Sequence, residues 1–225
     1  MTHRVHPAVR APVGFVVEGH GEHATVPSIV ARLLGLSHCH VPRVLARGFG
    51  GITSNLHEHL DDLVQTHHPM AVVITVDRDD VIGALGVASC EKARAKIEGM
   101  ISDWLASRAA IPRMQPLPVS VVVVLQIPTF ESWWLADCVS LARTGLFTFE
   151  EDCNWNDVDS EVDRPDKLLL RRRAVSIDIK SADVAKKVVS SLDLGIVHAR
   201  SRSFRKFAKE VRLAYNRWEE AVAAA

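Results

Sequence analysis

The chain has 225 residues, 48% of them hydrophobic, with 27 basic and 27 acidic side chains and a formal net charge of zero. That length buries one sizeable core, so a single domain over residues 1–225 is expected. No apolar run reaches the roughly 18 residues of a membrane span, and Met1 to Val5 lack the apolar stretch of a secretory signal. A cytoplasmic protein without membrane association follows as the expectation.

Cys39, Cys90, Cys138 and Cys153 are widely spaced and form no CxxC pair. That argues against a zinc ribbon or a disulfide framework and for reduced thiols. Cys39 lies between His38 and His40, but no partner pair with zinc spacing is near.

Residues 13–17, Val-Gly-Phe-Val-Val, read as a buried strand ending at Glu18. Gly19-His20-Gly21 reads as a turn. A helix is then expected from Thr25, with Pro27 in its first turn and Gly35 ending it. Residues 40–45 read as a second strand and Gly48-Phe49-Gly50-Gly51 as a loop. Residues 55–65 read as a helix with Leu56, Leu60, Leu63 and Val64 on one side. Ala71 to Val76 is the strongest central-strand signal and runs into Asp77-Arg78-Asp79-Asp80. A helix with the stripe Ile97, Ile101, Trp104 and Leu105 is expected over 91–107, a buried strand over 119–127, and a helix start at Glu131. Residues 150–163 carry Glu150, Glu151, Asp152, Asp157, Asp159, Glu161 and Asp163 without a basic residue, and read as a loop or exposed insertion. Helices are expected again over 182–192 and 204–224, in a stretch where basic residues outnumber acidic ones. Those basic residues either form solvated helix faces or receive phosphates.

Strands alternate with helices through the first 140 residues, and the strands are continuously apolar. An α/β fold follows: a mainly parallel sheet with helices on both faces, its core at about 11–140, and a helical basic C-terminal part at about 164–225. Sites in such sheets form at the carboxyl ends of the strands. Glu18 and Asp77 each follow an apolar strand. In extended backbone Asp79 points the same way as Asp77, and Glu22 shares a face with Glu18 once a helical turn has begun. Several carboxylates in one crevice require a cation or raised pKa values. Oxygen-only ligands suit Mg²⁺ or Mn²⁺, which commonly engage substrate phosphates.

The order Val16-Val17-Glu18-Gly19-His20-Gly21-Glu22, a helix, then Val76-Asp77-Arg78-Asp79-Asp80 resembles the Toprim fold, the metal-binding domain of topoisomerases, primases and OLD-type nucleases. Pro128 to Asp137 resembles the E-x-W-x-L-A-D segment of a Toprim-like family of uncharacterised bacterial proteins, often encoded beside an ABC-type ATPase as a split counterpart of OLD nucleases. Lys180 before a helix and Ser201 to Phe207 fit the same family. The resemblance runs from about Val13 to Phe207. It implies that Glu18, Glu22, Asp77, Asp79 and Glu131 are metal ligands. It also implies that Lys180 stabilises phosphate charge.

The leading expectation is a Mg²⁺- or Mn²⁺-dependent nuclease acting on nucleic acid, DNA ahead of RNA, with an ABC-type ATPase as partner and a role in phage defence suggested by the family. The alternative is a non-catalytic regulatory or adaptor subunit of that ATPase with a vestigial metal site. A third reading is a phosphoryl enzyme acting on a nucleotide. No GxxxxGK[ST] loop occurs, which disfavours ATP hydrolysis by this chain. Tyr215 is the only tyrosine, and its place in a helical stretch, packed with Trp218 or facing solvent, argues against strand passage. Arg78 either neutralises phosphate or pairs with Asp79, Asp80 or Glu22. Trp133 and Trp134 either stack on bases or enter the core, with burial of at least one favoured. Ser201, Ser203 and Phe204 are placed to cap the last helix, with Ser203 an ordinary N-cap candidate.

Overall fold

The computed structural model describes residues 9–10, 12–87, 89–110, 119–149, 153 and 155–224. Expectations resting on Met1 to Val5, Glu150, Glu151 and Asp152 lie outside the described residues.

The alternating half begins with β1 (Val9–Arg10), β2 (Val13–Val17), α1 (His20–Leu33), β3 (Cys39–His40), β4 (Arg43–Leu45) and α2 (Phe49–His67). It continues with β5 (Ala71–Asp77), α3 (Arg78–Leu85), α4 (Cys90–Ala109) and β6 (Ser120–Gln126). Helices follow: α5 (Glu131–Leu135), α6 (Cys138–Arg143), α7 (Val158–Glu161), α8 (Pro165–Arg171), α9 (Ala182–Ser191), α10 (Leu194–Arg200) and α11 (Arg202–Ala223). The main sheet has the order β4-β2-β5-β6 with every pair parallel, and β1 and β3 form a separate parallel pair. This is the α/β class expected from the sequence, with a parallel sheet covered on both faces.

Alternation along the strands divides the core in two. Phe15, Val17, Val73 and Val124 face one layer, where they cluster with residues of α1, α9 and α11 such as Val26, Ala185 and Phe207. Val16, Val72, Ile74 and Val76 face the other, against Leu60 and Leu63 of α2 and Ile97 and Trp104 of α4. Each side chain of this size contributes about 1.5–3 kcal/mol by leaving water. Because both faces are covered, β2 and β5 read as uninterrupted apolar runs. The C-terminal helices therefore close one face of the core and are not an appendage to it: α9 packs on α1, and α11 packs against β2, β5 and β6.

Several local expectations are corrected. α1 starts at His20, not Thr25, because Gly19 is extended and Glu22 reaches back to accept its N–H at 2.8 Å. Pro27 thus lies inside the helix, and the His23 carbonyl that it cannot pair takes the Arg43 Nε–H at 2.6 Å. Gly48 to Gly51 is not a loop: α2 begins at Phe49 and kinks at Asn55. The strand expected over 40–45 splits into β3 and β4 around Val41 and Pro42. Part of the acidic stretch folds inward as α7, where Asp159 is buried and accepts from the Ser203 N–H at 2.7 Å and the Ser201 hydroxyl at 2.9 Å. Ser201, rather than Ser203, caps α11 by accepting the Phe204 N–H. Leu105 is 44% exposed, off the buried stripe. Among the described residues no helix is long and apolar enough to cross a membrane.

Candidate metal centre at the strand ends

From β2 the chain passes through α1 to β4 on one side; from β5 it passes through α3 and α4 to β6 on the other. Adjacent strands whose connections diverge leave a cleft at their carboxyl ends. Glu18 follows β2 and Asp77 ends β5, so the topology delivers both carboxylates to that cleft. The Asp77 N–H donates to Glu18 Oε2 at 2.9 Å.

α3 begins immediately after Asp77, so the next carboxylate on the same side lies one helical turn on. That residue is Asp80. Glu18, Asp77 and Asp80 each offer an oxygen, and the three oxygens lie within 4.8 Å of one another. Asp79, expected beside Asp77, does not line the cleft: it is paired with Arg78 at 2.8 Å. The expectation assumed extended backbone where a helix has already started. A helical period counted from Asp77 would have found Asp80.

The cleft holds about 420 Å³ and brings together Glu18, Glu22, Asp77, Glu131 and Lys180 of the expected set, together with Asp80 and Arg47. Glu22 is 3% exposed and both its oxygens are engaged, Oε1 by the Thr75 hydroxyl at 2.7 Å and Oε2 by the Gly19 N–H. It braces the turn after Glu18 rather than presenting a free ligand. The Phe130 N–H donates to Asp77 Oδ1 at 2.8 Å, fastening the α5 entrance to the site. Glu131 accepts from Lys180 Nζ at 2.7 Å, while its Oε2 and Glu18 Oε1 are buried without a partner.

Crowding and burial act on the charges. Burial pushes the Glu18 carboxyl up to about 8, opposed by the Asp77 N–H and reinforced by Asp80 and Glu22. Burial likewise raises Glu22 to about 7 against its hydrogen bonds from Thr75 and Gly19. Asp77 is held well above the carboxylate range by burial and by Glu22, Glu131 and Glu18. Burial disfavours the Lys180 ammonium, but Glu131 and Asp77 outweigh it and the pKa rises. Raised carboxylates around an unpartnered buried oxygen fit a divalent cation, which would replace protons. The all-oxygen donor set suits Mg²⁺ or Mn²⁺.

The rest of the Glu131 to Asp137 segment is structural. Trp133 and Trp134 are both buried, Trp133 donating to the Ser203 hydroxyl at 2.9 Å; Trp134 also walls the cleft. Asp137 accepts from the Ser140 and Asp193 N–H groups. Tyr215 packs on Trp218, with ring centroids 5.6 Å apart, and is absent from the cleft lining.

A family model described as Domain of unknown function (DUF4276) matches residues 17–212. No curated protein and no solved structure matches the chain.

Proposed function

The chain belongs to the DUF4276 family, and we propose that it is a divalent-metal-dependent phosphodiesterase acting on nucleic acid. The observation that carries this reading is the Glu18–Asp77–Asp80 triad at the sheet's switch point, with a buried Glu18 oxygen left without a partner. Those three residues would hold the cation, Mg²⁺ or Mn²⁺. When bound, it supplies Lewis acidity and lowers the pKa of a coordinated water.

The protein's own groups do the rest. Glu22 fixes the turn after Glu18, and the Asp77 N–H orients the Glu18 carboxylate. Glu131 keeps Lys180 protonated at the cleft wall, where its ammonium neutralises phosphate charge. In the hydrolysis, water adds to phosphorus and the P–O ester bond breaks, leaving a phosphomonoester and a hydroxyl. A cytoplasmic setting, DNA as the substrate, and a separate ABC-type ATPase as partner belong to the same proposal. The sequence resemblance to split OLD-type nucleases, and the absence of a P-loop from this chain, support the last point.

The test is cleavage of plasmid and single-stranded DNA by the purified protein in EDTA, Mg²⁺ or Mn²⁺, beside a folded Glu18→Gln/Asp77→Asn double variant. Metal-dependent cleavage lost in the variant is the expected result. Cleavage that persists in the variant or in EDTA overturns the assignment.

A further inference from the structure

Five carboxylates line the cleft: Glu18, Glu22, Asp77, Asp80 and Glu131. Lys180 and Arg47 are the lysine and arginine beside them. Lys180 donates to Glu131 at the cleft wall. Arg47 is exposed, and among the described residues its side chain has no hydrogen bond or ion pair. A guanidinium at the rim of a carboxylate cleft, paired with none of those carboxylates, is free to meet an incoming anion.

Its backbone is unusual as well. Arg47 has φ 61°, in the left-handed region. The other described non-glycine residue with positive φ is His68, which ends α2, where a left-handed residue is an ordinary stop. Arg47 instead lies in the link from β4 to α2, where glycine or asparagine would fit with less strain. Its neighbours lock it there: the Ala46 N–H donates to the Val17 carbonyl at 2.9 Å and the Gly48 N–H to the Glu18 carbonyl at 3.0 Å. Arg47 is thereby fastened level with the residue that carries the central carboxylate. Strain held in place by flanking bonds at a cleft points to a role for the side chain.

We propose that Arg47 is the substrate-phosphate clamp of this site, its guanidinium binding the non-bridging oxygens of a nucleic-acid phosphodiester beside the carboxylate triad. The inference rests on the phosphodiesterase reading above. The planar fork of arginine matches two phosphate oxygens at once, which a lysine ammonium does not.

Arg47→Asn suits the left-handed backbone and removes the fork, while Arg47→Lys keeps the charge without it; melting curves establish that both fold. Binding of a short labelled single-stranded DNA is then followed by anisotropy in Ca²⁺ over a salt series, with Mn²⁺ affinity measured by calorimetry on the same proteins. Arg47→Asn is expected to bind DNA about tenfold more weakly, with a salt slope shallower by about one, and to keep its Mn²⁺ affinity within about twofold. Arg47→Lys should recover the slope but not the affinity. Unchanged DNA affinity and slope in Arg47→Asn, or a parallel loss of Mn²⁺ affinity, overturn the clamp and leave the phosphodiesterase reading standing. DNA that binds none of the three proteins, wild type included, overturns both.

Discussion

A strand sets residues i and i+2 on one face, whereas a helix brings i and i+3 together. Because α3 begins at Arg78, Asp80 joins Asp77 and Glu18 while Asp79 turns to Arg78. Replacing Asp80 with Asn should therefore weaken Mn²⁺ binding by about tenfold or more, and Asp79→Asn should leave it within about twofold, as read by calorimetry. Equal losses in the two variants would contradict the helical placement. Glu22 acts on the metal at one remove. Glu22→Gln can accept only one of its two present hydrogen bonds through its single carbonyl oxygen, so Mn²⁺ affinity should fall by about tenfold although no ligand is removed.

The starts of α1 and α2 escape the sequence because glycines hide them. Gly19-His20-Gly21 and Gly48 to Gly51 carry turn composition, yet Glu22 caps the first segment and the Gly48 carbonyl accepts the Gly51 and Ile52 N–H groups in the second, so both are helical. At Gly51 a Cβ would stand 1.7 Å from the Ala46 carbonyl oxygen, whereas at Gly50 it would meet nothing within 4 Å. Gly51→Ala should lower stability by at least about 2 kcal/mol in urea unfolding, since backbone must move. Gly50→Ala should be neutral or stabilising by up to about 1 kcal/mol, because alanine is the better helix former. Similar losses at both positions would mean that propensity, not contact, governs this turn. At the other end, Ser201 and Asp159 tie α7 to the start of α11. The Ser-x-Ser-Phe pattern at 201–204 is thus a structural tie.

Over the whole molecule, burial and repulsion raise Glu18 to about 8 and Glu22 to about 7, from ordinary values near 4.5. In the metal-free protein the folded state then holds protons that the unfolded chain releases. Stability from these groups is fully present below about pH 4.5 and is lost as the pH rises through about 7 to 8. With EDTA, the melting temperature should fall across that window. With Mg²⁺ or Mn²⁺ it should recover at pH 8 and change little at pH 4.5, where protons compete for the ligands. A melting temperature that rises from pH 5 to 8 in EDTA would show that the cluster is not strained by its own charge.

The sheet-forming runs 13–17 and 71–76, the α/β class, and the carboxylates Glu18 and Asp77 that follow those runs are legible along the chain, because strand identity and a polar residue after it are local properties. The sequence also held Glu22 as a candidate through its helical spacing from Glu18, and Glu131 and Lys180 through resemblance. Which of these residues share one cleft is set by the folded arrangement, because β2 and β5 become neighbours through a crossover that no local pattern encodes. The same holds for Asp80 over Asp79, for the burial of Trp133, Trp134 and Asp159, and for Arg47, whose left-handed backbone is imposed by bonds to β2 on either side of it. Local residue preferences are read along the chain, whereas desolvation, charge crowding and backbone strain arise where distant segments meet.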